Sequence, residues 1–284
     1  MKAIDLYSQL EKNFVRPGIE EYWFDYMADI EAYICDNFRQ RSMGLVCDFA
    51  EEINKVYTAV FPSDKVLSKV LDDNVTDAMI FLHHPADWDL TKEPGKVFHQ
   101  MNTELLEKLK ERRVSIFNFH YPLDNYGEYS NSKTLADALG IVVEKPFAKF
   151  SWALCGVIGI TDCADIHELK ERYSQVVGHE VKLYQYGSSE IANGRVAIIP
   201  GGGNDTDSVN EVIENGVNVL VTGLTLCNEY SIAVHELEKE HKINLLGGTH
   251  YSSEKFGCIA MCEYFETLGL QAEFVPDVPC FEDL

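Results

Sequence analysis

VAIIPGGGNDTDSVNEVIENGVNVLVTG, residues 196–223, decides the fold class. An apolar run meets a glycine turn, an amphipathic stretch follows and stops at Asn215-Gly216, and a second apolar run completes a strand, turn, helix, strand unit. Downstream the alternation continues, with an amphipathic helix over residues 231–242 (SIAVHELEKEHK), a strand into a turn over 243–250 (INLLGGTH) and a final helix over 254–269. Upstream, residues 45–50, 56–63 and 77–85 (DAMIFLHHP) read as strands, with a helix over 65–74. A loop containing Pro85, Trp88 and Pro94 leads to a helix over 99–113 and an apolar run over 114–124 (VSIFNFHYPLD), which Pro122 breaks. A helix over 132–140 stops at Gly140, and a strand-rich stretch with many turns follows. The spacing of residues 19–40 predicts one helix, whose Tyr22, Trp23, Phe24, Tyr26 and Tyr33 pack as core or subunit contact rather than as a cofactor box. With no long linker and no short-period repeat, the pattern predicts two joined α/β lobes.

The composition supports a folded chain: 284 residues, 46% hydrophobic and 25% charged. Lys+Arg 24 against Asp+Glu 46 gives a net charge of −22, which repels nucleic acid and anionic lipid, so neither is expected as a partner. A phosphate-bearing substrate needs a metal or a nest of N–H groups to reverse that sign locally. No stretch approaches the roughly 18 to 20 apolar residues of a membrane span. The first twenty residues carry charges throughout and do not read as a signal peptide, so the expected location is the cytoplasm. The eight scattered cysteines read as small core residues of a reducing compartment, and Cys258 and Cys262, one helical turn apart, as a shared buried face rather than a soft-metal pair.

Three His/carboxylate clusters carry the chemistry. His83-His84-Pro85 ends an apolar strand; alternation along a strand would make the two rings diverge, which suits two metals, whereas the plain alternative is one solvent-facing and one core histidine. His250 and Glu254 stand one helical turn apart after a glycine turn, a spacing that chelates or bridges cations. The same segment also reads as a helix N-terminus capped by Thr249, Ser252 or Ser253. His120 and Asp124 lie at a third strand exit, where the proline is expected to prevent helix, although Asp124 alone reads as a turn residue. Strand exits are where open α/β sheets hold ligands, and a mixed His/carboxylate shell favours zinc, iron or manganese over calcium. Gly201-Gly202-Gly203-Asn204 lacks the spacing of a phosphate loop, so tight packing is the preferred reading. His235 and His241, on a charged helix, are expected in solvent. No Gly-x-Ser-x-Gly elbow supports a triad hydrolase.

From about Gly44 onward the chain resembles the Ngg-interacting-factor-three-like family, also known as GTP cyclohydrolase type 2 homologs or dinuclear metal-centre hexameric proteins. The resemblance rests on AMIFLHHP (78–85), FNFHYPLD (117–124), VAIIPGGGND (196–205), VLVTG (219–223) and GGTHYSSEKFG (247–257), in the family's order. It implies two divalent ions per chain held by His83, His84, Asp124, His250 and Glu254, with Asp124 or Glu254 bridging and His120 on the site wall. It also implies two similar, interlocked α/β lobes, residues 1–125 plus 245–284 and 126–244, with a dinuclear metal site in the cleft between them. A toroidal homohexamer is implied as well. The chain departs from the family pattern at NFRQRSMGL (37–45), at NYGEYSN (125–131) and at Leu224.

The expected function is a metal-dependent hydrolase, GTP cyclohydrolase-like by resemblance, acting on a small nucleotide-like or phosphate-bearing molecule, with His120 as general acid/base. Trp88 stacks on a substrate ring or simply packs. The alternative is a non-catalytic metal-binding hexameric scaffold or a regulatory, metal-handling protein.

Overall fold

The computed structural model describes residues 1–16 and 18–284. The chain begins with α1 (Ala3–Phe14), 3-10 turns at Trp23–Tyr26 and Ala28–Tyr33, α2 (Asp36–Arg41), β1 (Gly44–Cys47), β2 (Lys55–Ala59), α3 (Asp64–Asp72) and β3 (Ala78–Leu82). Then come β4 (Asp87–Glu93), β5 (Lys96–His99), α4 (Thr103–Glu111), β6 (Val114–Asn118), α5 (Tyr121–Asp124), α6 (Asn131–Ala138), β7 (Val142–Phe150) and β8 (Ala153–Ile160). The remainder is α7 (Ile166–Val177), β9 (Lys182–Tyr184), β10 (Arg195–Ile199), α8 (Thr206–Glu214), β11 (Val219–Thr222), α9 (Ile232–His241), β12 (Asn244–Gly247), α10 (His250–Thr267) and β13 (Gln271–Phe274).

The chain divides into two compact units, residues 1–123 with 258–278, and residues 124–257 with 279–284. Residues 245–257, grouped with the N-terminal lobe on sequence, therefore belong to the second unit, because β12 pairs with β11 and β9.

The first unit is built on a sheet of order β1-β6-β3-β2-β13, parallel except where β1 meets β6. The inner strands β2, β3 and β6 are buried on both faces, as parallel strands under helices are. Tyr57, Ala59, Ala78, Ile80, Leu82, Val114 and Ile116 pack with Val66, Leu67 and Val70 of α3 and Leu106 and Leu109 of α4. On the alternate residues, Phe81 meets Phe117 and Phe265 of α10, while Tyr7 of α1 stacks on Phe117 at 5.8 Å. Ser63 and Asn102 accept backbone N–H bonds at the starts of α3 and α4. Cys258 is buried with its thiol toward the Ala59 carbonyl, and Cys262 meets the Thr58 hydroxyl, so this pair shares a packed helix face.

The second unit has the order β7-β8-β10-β11-β12-β9, with β10, β11 and β12 parallel. Val196, Ile198, Val219, Val221 and Leu246 face α6 and α7, whereas Ala197, Ile199, Leu220 and Leu245 face α8 and α9. Among the described residues, no helix is long and apolar enough to cross a membrane.

Five local features differ from what the sequence pattern predicts. Residues 19–40 do not form one helix but two 3-10 turns and the start of α2, with Tyr22 and Tyr26 exposed and Trp23 buried. The loop after Pro85 holds the β4–β5 hairpin, and α7 lies in the stretch expected to be strand-rich. Pro122 does not prevent helix: it occupies the first turn of α5, where its missing N–H costs nothing. His235 is buried, not solvated, because it sits on the α9 face that carries Val234 and Glu238 inward.

Glu238 is a buried acid of the second unit. Its carboxylate lies 3.4 Å from the ring of His235, itself bonded to the Tyr186 hydroxyl at 2.9 Å. Burial pushes the Glu238 carboxyl up to about 8 and the His235 imidazole down. The raised value means that the native state holds a proton the unfolded chain releases from pH 4.5 upward. Its favourable contribution is complete below pH 4.5 and is lost as pH rises through about 8. Thermal melts across this range should show Glu238→Gln with a higher Tm than the wild type at the alkaline end and a flatter pH dependence; coincident curves would contradict it.

Candidate metal centre

In the first unit the parallel register sets the geometry. Leu82 of β3 is the partner of Asn118 of β6, so the residues that follow each strand emerge side by side. The β3 chain continues with His83 N–H on the Ala59 carbonyl at 3.1 Å and His84 N–H on the Val60 carbonyl at 2.8 Å. Asn118 directs its amide at the Leu82 and His83 carbonyls, which holds this exit in place. Both histidines are buried, which excludes the arrangement with one ring in solvent. Nor do the rings diverge. The strand ends at Leu82, so alternation no longer applies, and the ring centroids are 4.3 Å apart. His120 closes the group at 5.2 Å from His83 and 4.8 Å from His84.

One nitrogen from each of the three rings lies within 4.8 Å of the others, a set that can hold a metal ion. His83 Nδ1 is 3.1 Å from the Phe119 carbonyl, so the proton resides there and Nε2 presents its lone pair, the tautomer a metal requires. Aromatic walls surround the group: Phe61 stacks on His84 at 4.6 Å, and Trp23 stands edge-on to His84 and His120. Trp88 instead packs against Phe98 across the hairpin.

The second unit repeats the logic at the exits of β10, β11 and β12. Ile199 and Gly247 both register with Thr222, so the turns at Gly201, Gly223 and Gly248 lie together and α10 starts beside them. His250 Nε2 is 3.2 Å from Glu254 Oε2, and both residues are buried. Carboxylate oxygens of Asp124 and Glu254 lie within 4.8 Å of each other, and Asn131 donates to Asp124 Oδ1 at 2.9 Å. Two carboxylates this close repel unless a cation or a proton lies between them, and that is the sense in which the donor set fits a divalent ion. The capping reading of this segment is also realised: Thr249, at φ 65°, accepts the Ser252 N–H, and Asp283 accepts the His250 N–H at 2.7 Å.

Asn118, Glu21, Asn131 and Asp283 were missed on sequence. Asn118, Glu21 and Asp283 act through partners distant along the chain, Asp283 at a separation of 33 residues from His250, and nothing local marks them, whereas Asn131 stands seven residues from Asp124 on the next helix.

Two glycines of the turn serve packing. Gly201, at φ 67°, lies so close to the site that a Cβ there would overlap Glu254 Oε1, and one at Gly203 would overlap Ile199. Gly202 faces open space. Gly201→Ala should displace the Glu254 carboxylate and weaken zinc affinity by about 10–100-fold, while Gly202→Ala leaves it unchanged, as titration with a competing chelator would read. Equal affinities in the two variants would remove Gly201 from the site.

The model of the Duf34/NIF3 (NGG1p interacting factor 3) family matches residues 31–277. Curated relatives that match the chain carry the name GTP cyclohydrolase 1 type 2 homolog. The one from Borreliella burgdorferi is 27% identical over 225 residues, covering 79% of this chain and 83% of that protein. The one from Archaeoglobus fulgidus is 26% identical over 240 residues, covering 83% and 89%. Among solved structures, protein ybgI, of unknown function, aligns at a TM-score of 0.75 and 20% identity, covering 99% of this chain and 100% of that one. Reduced HcgD from Methanocaldococcus jannaschii aligns at 0.66 and 21%, covering 98% of each chain. These two show a shared fold. With the family match spanning most of its length and the histidine and carboxylate motifs inside it, the chain belongs to the Duf34/NIF3 family.

Proposed function

We propose that this protein is a divalent-metal-dependent hydrolase of a small nucleotide-like or phosphate-bearing substrate. In this reading His83, His84, Asp124, His250 and Glu254 would hold two divalent ions of zinc, iron or manganese. The observation that carries it is the grouping of buried His83 and His84 with half-buried His120, one nitrogen of each within 4.8 Å of the others, in which His83 has its ring proton committed to a backbone carbonyl. Imidazole nitrogens gathered at this spacing are a donor set of the kind that zinc, iron and manganese take.

When bound, such ions polarise a carbonyl or phosphoryl oxygen and make water nucleophilic near neutral pH. The chain's own residues supply the rest. His120 moves a proton at Nε2, and Phe61 and Trp23 exclude solvent around His84. With a net charge of −22, the protein attracts a phosphate-bearing substrate only through the ions, so chelation abolishes binding as well as turnover. The relatives' name, GTP cyclohydrolase 1 type 2 homolog, puts purine nucleotides first among candidates. The reading includes a homohexamer and a cytoplasmic location.

The test is a panel of phosphoesters, nucleotides and cyclic amides offered to protein loaded with zinc, manganese or ferrous iron. Turnover should disappear in His83→Ala and Glu254→Ala with the assembly mass unchanged, and kcat should fall by about 10²–10⁴-fold in His120→Gln with the metal retained. No turnover of any substrate, together with dissociation of the two alanine variants, would favour the scaffold.

A further inference from the structure

Glu21 lies ahead of the segment matched by the family and carries a buried carboxylate, its side chain 2% exposed. Three donors converge on it. Trp23 Nε1–H reaches Oε2 at 2.8 Å, the Tyr121 N–H reaches Oε1 at 3.2 Å, and His120 Nδ1 lies 2.8 Å from Oε2. A carboxylate that already receives two N–H groups only accepts, so the His120 ring proton resides on Nδ1 and Nε2 carries the lone pair. The support of Glu21 is itself firm. Its own N–H bonds the Arg41 carbonyl at 2.8 Å, the Phe24 N–H bonds Ser42 Oγ at 2.9 Å, and Arg41 pairs with Glu11 of α1 at 2.6 Å. Trp23 sets the ring plane, edge-on to His120 at a centroid distance of 4.9 Å and an interplanar angle of 85°.

We infer that Glu21 is a positioning residue: it locks His120 in the Nδ1–H tautomer and aims Nε2 at the His83–His84 group. A histidine oriented by a carboxylate has one ring nitrogen committed and the other made more basic, which suits either proton transfer or metal ligation. As a base, His120 needs this arrangement, since a neutral ring with its proton on Nε2 offers no acceptor on that side. The assignment deepens the hydrolase reading, because it says how His120 is prepared, and it rests on that reading only for the use to which Nε2 is put.

The test reads the tautomer directly, by imidazole ¹⁵N NMR of the metal-free full chain, with the His120 signals assigned by their loss in His120→Gln. Trp23→Phe serves as background, since it removes one donor to Glu21 and keeps a ring against the histidines. His120 should be the Nδ1–H tautomer in the wild type and in Trp23→Phe, and should lose that signature in Trp23→Phe/Glu21→Met, with all three proteins melting cooperatively. In a substrate assay the added Glu21→Met change should lower kcat and leave KM unchanged. An Nε2–H ring in the wild type, or an unchanged tautomer when Glu21 becomes Met, would overturn the inference. A protein that binds no metal but still shows the Glu21-dependent tautomer would support this assignment while removing the metallohydrolase reading.

Discussion

The parallel pairing of β3 with β6 is the constraint on which the histidine group depends. Because Leu82 and Asn118 share one register position, the two chains leave the sheet together, and His83, His84 and His120 meet without any long loop to place them. The same principle governs the exits of β10, β11 and β12, where His250 starts α10 beside the turn at Gly201. Polar side chains set at strand exits are carried by a rigid scaffold that is apolar on both faces, so their positions follow from backbone hydrogen bonds, not from adaptable surface contacts.

That placement has an energetic consequence. Imidazoles and carboxylates are taken out of water, and each needs a partner there. His83 finds the Phe119 carbonyl, Asp124 the Asn131 amide, and His120 the Glu21 carboxylate. These partners hold one atom of each side chain and direct the other inward, which is the division of labour expected around a metal. Glu238 shows what happens to a buried acid without such provision: burial raises its carboxyl to about 8.

Much of the architecture was legible in the sequence because period and punctuation agree. The run 78–82 is uniformly apolar and is a strand buried on both faces, and Gly140 ends the helix before it in left-handed backbone. The candidate ligands were legible because they stand at strand exits, a local feature. Glu21 was not, since its role depends on contact with His120 across 99 residues, and residues 19–40 mimic a helical period while folding as 3-10 turns. The orientation of His83 and His84 was misjudged for a related reason: alternation holds only while the strand continues, and β3 stops one residue before them.

The central claim is that five side chains hold a pair of divalent ions. Elemental analysis of the full chain purified without chelators, beside the His250→Ala/Glu254→Ala double variant, tests it most directly. The account predicts about two equivalents of zinc, iron or manganese per chain in the wild type and loss of metal in the variant. A wild-type protein that remains metal-free after incubation with each of these ions would contradict it, and the family resemblance would then be one of fold alone.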